Sequence, residues 1–167
     1  GGKELPHSIP RILAANPFGP VNNMVGAEGE RWLPVHGLVP HSKGEKVLAA
    51  IEAVYERNRD VLEQYAIETG YLIAVVSEQI TVLEPVFFWP DALNALHKQS
   101  LEPDHLARMN QFEAVPGARE AVYKIKSEVV DLLSAEGASH FQLGKAYHYR
   151  PALKAPAENL FGSIKSA

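Results

Sequence analysis

The chain has 167 residues, 46% hydrophobic and 22% charged, the balance of an ordinary globular domain with room for a sizeable core. Its net charge of −4 offers no positive field for phosphates, which argues against a nucleic-acid partner. Zero cysteines exclude a disulfide scaffold, a thiolate metal site and a cysteine nucleophile.

No apolar run reaches the ~20 residues that cross a bilayer, and the start has no signal-peptide shape, so a cytoplasmic protein without membrane contact is expected. The opening Gly1-Gly2 and the closing Ser166-Ala167 read as cut ends, and a piece of a longer chain is expected.

Residues 1–20 hold four prolines and read as an irregular arm with one short turn at 11–15. Segments 22–25 and 30–39 flank Gly26-Ala27-Glu28-Gly29 as a hairpin. In the second of them Leu33, Val35 and Val39 share one face, with Trp32, His36 and Leu38 on the other. Pro34 and Pro40 cannot donate to a ladder, which predicts an edge or an irregularity there. Ser42 and Glu45 have the spacing of a capping box before a helix striped by Val47, Leu48, Ile51, Val54, Tyr55, Leu62 and Tyr65. That helix is expected to reach Ile67 and stop at Gly70.

Residues 71–78 and 80–88 are β-branched, aromatic and aliphatic with a tight break at Ser77-Glu78-Gln79, the pattern of a central hairpin. Pro90-Asp91 opens a short helix to about Lys98, with another turn or two in 102–111. A second long helix is predicted over 118–135, with Lys124, Lys126 and Glu128 outside and Gly137 as its stop. Residues 138–143 alternate again, placing Ser139, Phe141 and Leu143 inward and His140 and Gln142 on the opposite side. Residues 158–165 read as a last helix.

The order strand, helix, strand, strand, helix, strand is the split βαβ pattern: an α+β, ferredoxin-like antiparallel sheet with helices on one face, an N-terminal arm and a C-terminal helix. The division expected is an arm over 1–20, the ferredoxin-like domain over 21–150 and a helical segment over 151–167. The second sheet face is expected to be open to a ligand or another domain.

Several residues could carry chemistry. Glu78 and Glu84 lie in or beside apolar strands, where an ionised carboxylate needs a partner, and either could serve as a base; a turn residue and an ion pair are the structural alternatives. His36 and His41 frame HGLVPH and could shuttle a proton or hold a metal, against the alternative of a surface histidine and a helix-cap neighbour. His140 and Gln142 read as site-lining, Phe88 as a stacking wall or part of a core plug, and Lys145 and Arg150 as a carboxylate- or phosphate-binding patch or a solvated loop. No glycine-rich phosphate loop, HExxH or GxSxG occurs, and no metal site is expected.

Together, NPFGPVNNMVGAEGERWLPVHGLVPHS, SEQITVLEPVFFWPD, GASHFQLGKAYHYR and AENLFGSIKSA resemble the C-terminal domain of FAD-linked oxidases, the flavoproteins grouped with vanillyl-alcohol oxidase and 4-cresol dehydrogenase. The resemblance implies a cap roofing the isoalloxazine ring of FAD, with the N-terminal FAD-binding domain of the parent protein as partner and a small oxygenated substrate between them. For a cap of this kind the residues expected to act, from their own chemistry and placement, are His36 and His140 for proton handling, Glu78 or Glu84 as base, and Gln142, Phe88, Phe141 and Arg150 for substrate contacts. In the phenol-oxidising branch a Tyr-Arg pair stands where this chain has Phe141-Gln142; the metal-binding motifs of the hydroxy-acid branch are missing. The alternative is a ferredoxin-like ligand-binding or protein-interaction module without redox chemistry.

Overall fold

Three strands pair antiparallel with one long strand, and two amphipathic helices cover one side. The computed structural model describes residues 8–15, 22, 25–26, 29–109, 112–140 and 155–166. In chain order these form α1 (Ser8–Ala15), β1 (Glu30–Pro34), β2 (Gly37–Pro40), α2 (His41–Arg57), α3 (Arg59–Gln64), β3 (Glu68–Val75) and β4 (Ile80–Pro90). After these come α4 (Ala95–Ser100), α5 (Pro103–Met109), α6 (Pro116–Ala135) and α7 (Ala155–Lys165). The expected turn at 11–15 is thus a full helix, α1.

Strand β4 is the axis. It pairs with β3 along one edge and with β1 and β2, end to end, along the other. The registers Pro34↔Val86 and Gly37↔Leu83 belong to one continuous ladder, so β1 and β2 are a single strand interrupted at Val35-His36. The cause lies on the partner. Val35 donates its N–H to the Pro85 carbonyl at 2.9 Å, but Pro85 has no N–H to return. Beyond β2, Leu38 and Ser139 exchange both main-chain bonds, at 2.7 and 3.1 Å. With β1–β2 counted as one and the Leu38–Ser139 bridge standing in the place of a fourth strand, the spatial order is bridge, first, third, second strand, the ferredoxin-like arrangement within an α+β fold. The hairpin expected around 26–29 survives as a bridge between Val25 and Arg31. Gly29 there has φ +81, a conformation that favours glycine.

Helices α2 and α6 lie on one face of the sheet. Val47, Ile51, Val54 and Tyr55 of α2 and Val122, Ile125, Val129 and Leu133 of α6 close over Val35, Val39, Leu83 and Phe87. Phe87 is fully buried and meets Tyr55 edge-on at a centroid distance of 5.7 Å. A smaller core of Val25, Leu93, Leu101 and Met109 joins the first hairpin to α4 and α5.

Several local expectations are corrected. Helix α2 starts at His41 with Pro40 as N-cap and no side-chain cap bond, so Ser42 and Glu45 do not form a capping box. The helix does not run on to Ile67: it breaks at Asn58, whose side chain donates to the Val54 carbonyl at 2.9 Å. It is also not stopped by Gly70, which lies within β3. The stop is Ala66 at φ 49, with Ile67 N–H bonded to the Leu62 carbonyl at 2.9 Å, a helix end of the kind usually made by glycine. Lys126, expected outside, is buried, and burial lowers its pKa. Ala138, not Ser139, faces the core; Ser139 is exposed. Where 138–143 was expected to pair, the described part ends at His140.

Candidate functional site

Because residues paired across strands share a face, β4 divides its side chains cleanly. Leu83, Phe87 and Trp89 point to the helices; Val82, Glu84, Val86 and Phe88 point away. The β1–β2 register puts His36 directly across from Glu84 on that second face. His36 Nε2 stands 2.9 Å from Glu84 Oε2, and the two side chains are only 15% and 10% exposed. The partner that a carboxylate in an apolar strand requires is therefore this imidazole. His140 joins from the neighbouring strand segment: its Nδ1–H donates to the main-chain carbonyl of His36 at 2.6 Å, since a carbonyl can only accept.

Three of the expected catalytic residues thus meet, and the fourth does not. Glu78 is exposed in the β3–β4 turn, where Ser77 Oγ accepts from the Gln79 and Ile80 N–H groups at 3.3 and 3.1 Å. Ile80, where β4 begins, is already about 13 Å along the strand from Glu84, and Glu78 lies beyond it in the turn. Phe88 shares the face of Glu84, but about 13 Å further along β4, so it does not wall the histidine pair. His41 does not act with His36 either. It caps the end of the sheet, with Nδ1 2.6 Å from Thr81 Oγ1 and Nε2 3.1 Å from the Ser77 carbonyl. Phe141, Gln142, Lys145 and Arg150 lie outside the described residues.

The second face is not uniformly open, as the helix-free side of such a sheet was expected to be. Leu72 and Trp32 are exposed on it, but Val82 and Val86 retain only 3% and 6% of their surface. Among the described residues no group of three or more His, Asp or Glu is placed to hold a metal ion, and no helix is long and apolar enough to cross a membrane.

A second polar cluster, not foreseen from sequence, sits at the far end of the sheet. Asp91, at the exit of β4, is 2% exposed. Its Oδ1 accepts the N–H groups of Ala92 and Val115 at 2.8 and 3.0 Å, and its Oδ2 accepts Arg119 Nε and Nη2 at 3.0 and 2.6 Å. Burial pushes its carboxyl pKa up, but the bonds from Val115, Arg119 and Ala92 outweigh this and hold it below the usual carboxylate value. Helix α6 has no acid in its first turn, and Asp91 supplies the negative charge that its N-terminus favours. Arg31 approaches from β1 and donates to the carbonyls of Gly29, at 2.9 Å, and Asp91. The one sequence signal for this cluster is that Arg31 alternates in phase with Leu33 and Val35, which face the core.

No protein-family model, curated protein or solved structure matches the chain.

Proposed function

We propose that the chain is the substrate-side cap domain of an FAD-dependent dehydrogenase or oxidase acting on a small oxygenated substrate. The observation that carries this reading is the His36–Glu84 pair, 2.9 Å apart on the sheet face away from the helices. A carboxylate bonded to an imidazole fixes the orientation of the ring, which suits a positioned proton acceptor. His140 fixes the main chain from which His36 projects. The chain has no glycine-rich loop for a cofactor's phosphates, so FAD fits it only as a neighbour held by an N-terminal domain of the parent protein.

When bound, FAD supplies the hydride acceptor. This chain's part is the proton. Oxidation of a carbon bearing a hydroxyl releases a proton from oxygen; His36, steadied by Glu84, accepts it. Leu72, exposed on the same face and paired across from Glu84, supplies apolar surface for the substrate side.

The test is purification of the full-length parent protein and measurement of its flavin absorbance and turnover. Bound flavin is expected, with His36→Ala and Glu84→Gln each lowering kcat by about 10²-fold or more. The 167-residue chain alone should give no turnover. A full-length protein that binds no flavin overturns the proposal.

One observation favours a second reading, a ferredoxin-like ligand-binding or protein-interaction module. Burial of Val82 and Val86 leaves the middle of the second face without a broad open surface. In that case the histidine–glutamate pair is structural, and the same substitutions change stability alone.

A further inference from the structure

The Asp91 cluster borders a cavity of about 390 Å³, a volume typical of small-molecule sites. It lies where β1, the end of β4, α4 and α6 meet, apart from the His36–Glu84 pair and independent of the flavin reading. Its polar wall holds Arg31, Arg119, His97 and Asp91; its apolar wall holds Trp32, Trp89, Leu96 and Tyr123 among others.

The charges do not balance. Asp91 already accepts four hydrogen bonds, the full capacity of a carboxylate, and neutralises one arginine. Among the described residues Arg31, 6% exposed, donates only to two main-chain carbonyls, and no carboxylate forms a salt bridge with it. Among the described residues one buried positive charge is left over, and more than half of the donors of Arg31 have no partner. The N-terminus of α6 adds to the same field.

A further donor lies in the wall. His97 Nδ1 accepts the Asn94 N–H at 3.3 Å, which assigns the proton to Nε2. A cavity that presents donors on one side and indole, phenol and leucine surface on the other is matched to an anion with an apolar body.

We propose that this cavity binds a small organic carboxylate bearing an aromatic or branched apolar group. Arg31 and Arg119 hold the carboxylate, and Trp32, Leu96 and Tyr123 cover the apolar part.

The two tryptophans of the chain, Trp32 and Trp89, both line the cavity, so its intrinsic tryptophan fluorescence reports occupancy directly. The 167-residue chain is titrated with phenylacetate, with its uncharged counterpart 2-phenylethanol, with acetate and with inorganic phosphate. Phenylacetate is expected to give a saturable change and the other three at least about tenfold weaker ones, since each lacks half of the match. Leu96 is exposed, so Leu96→Glu should fold normally yet weaken phenylacetate at least about tenfold by placing a like charge at the mouth. Leu96→Gln, checked for an unchanged thermal midpoint, loses only the apolar contact and should weaken phenylacetate clearly less than Leu96→Glu does. An equal response to phosphate or acetate would mean an anion site without the apolar half. An equal response to 2-phenylethanol would mean an apolar hollow without the charge. Either result, or unaltered binding in Leu96→Glu, overturns the proposal.

Discussion

His36 Nε2 and Glu84 Oε2 lie 2.9 Å apart on the sheet face turned away from the helices, each donated by a strand that is otherwise apolar at that level. The two partners are not equivalent. Removing Glu84 leaves an imidazole, a ring that can be buried without a charge, whereas removing His36 leaves a carboxylate in a mostly buried site. His36→Ala should therefore cost more, roughly 2–4 kcal/mol, than Glu84→Ala at roughly 1–2 kcal/mol. The double variant should cost less than the sum. Urea denaturation of the three variants checks this; equal costs that simply add would remove the energetic coupling claimed for the pair.

Asp91 makes the protein acid-sensitive in a defined direction. Its folded-state pKa is depressed, so the stability it contributes is complete above the ordinary carboxylate pKa and is lost as pH falls through the folded value. Asp91→Asn keeps the shape but loses the ionised acceptor of Arg119, and should cost about 2–3 kcal/mol at neutral pH. The difference from wild type should shrink progressively below the ordinary carboxylate pKa. Chemical denaturation across an acidic pH series measures both, and a pH-independent difference would contradict the depressed value.

Ala66 occupies, at φ 49, the helix-ending position that glycine takes at little cost. Ala66→Gly should raise stability by about 1 kcal/mol, or about 2–4 °C in the thermal midpoint for a chain of this size. A lower midpoint would show that the left-handed conformation at Ala66 does not cost the chain what is claimed.

Phe87 is fully buried between the sheet and the helices, edge-on to Tyr55. Phe87→Ala should cost about 3–5 kcal/mol. Phe88→Ala, one residue on but on the opposite face and only half-buried, should cost clearly less. A reversed ranking in denaturation midpoints would mean that the strand presents its faces the other way.

Local pattern was enough for the architecture. The 3.6-residue stripe through Val47, Ile51 and Val54, the apolar run of β4 and the turn at Ser77-Glu78-Gln79 each record which side of an element avoids water, and that preference is written residue by residue. Element ends were read less well because their causes are tertiary. Pro40 and not Ser42 starts α2, and Ala66 and not Gly70 ends α3, since the neighbouring strand pairing sets where each helix must stop.

The sequence by itself determined the strand–helix order and marked His36, Glu84 and His140 as polar groups in apolar strands. Only the tertiary structure decided that His36 faces Glu84 across one register, that Glu78 and Phe88 stand apart from them, and that Arg31, Asp91 and Arg119 meet at the end of the sheet. The physical reason is range: hydrophobic periodicity is a property of a few neighbouring residues, whereas the partner of a buried charge is chosen by strand register and helix docking across many tens of residues.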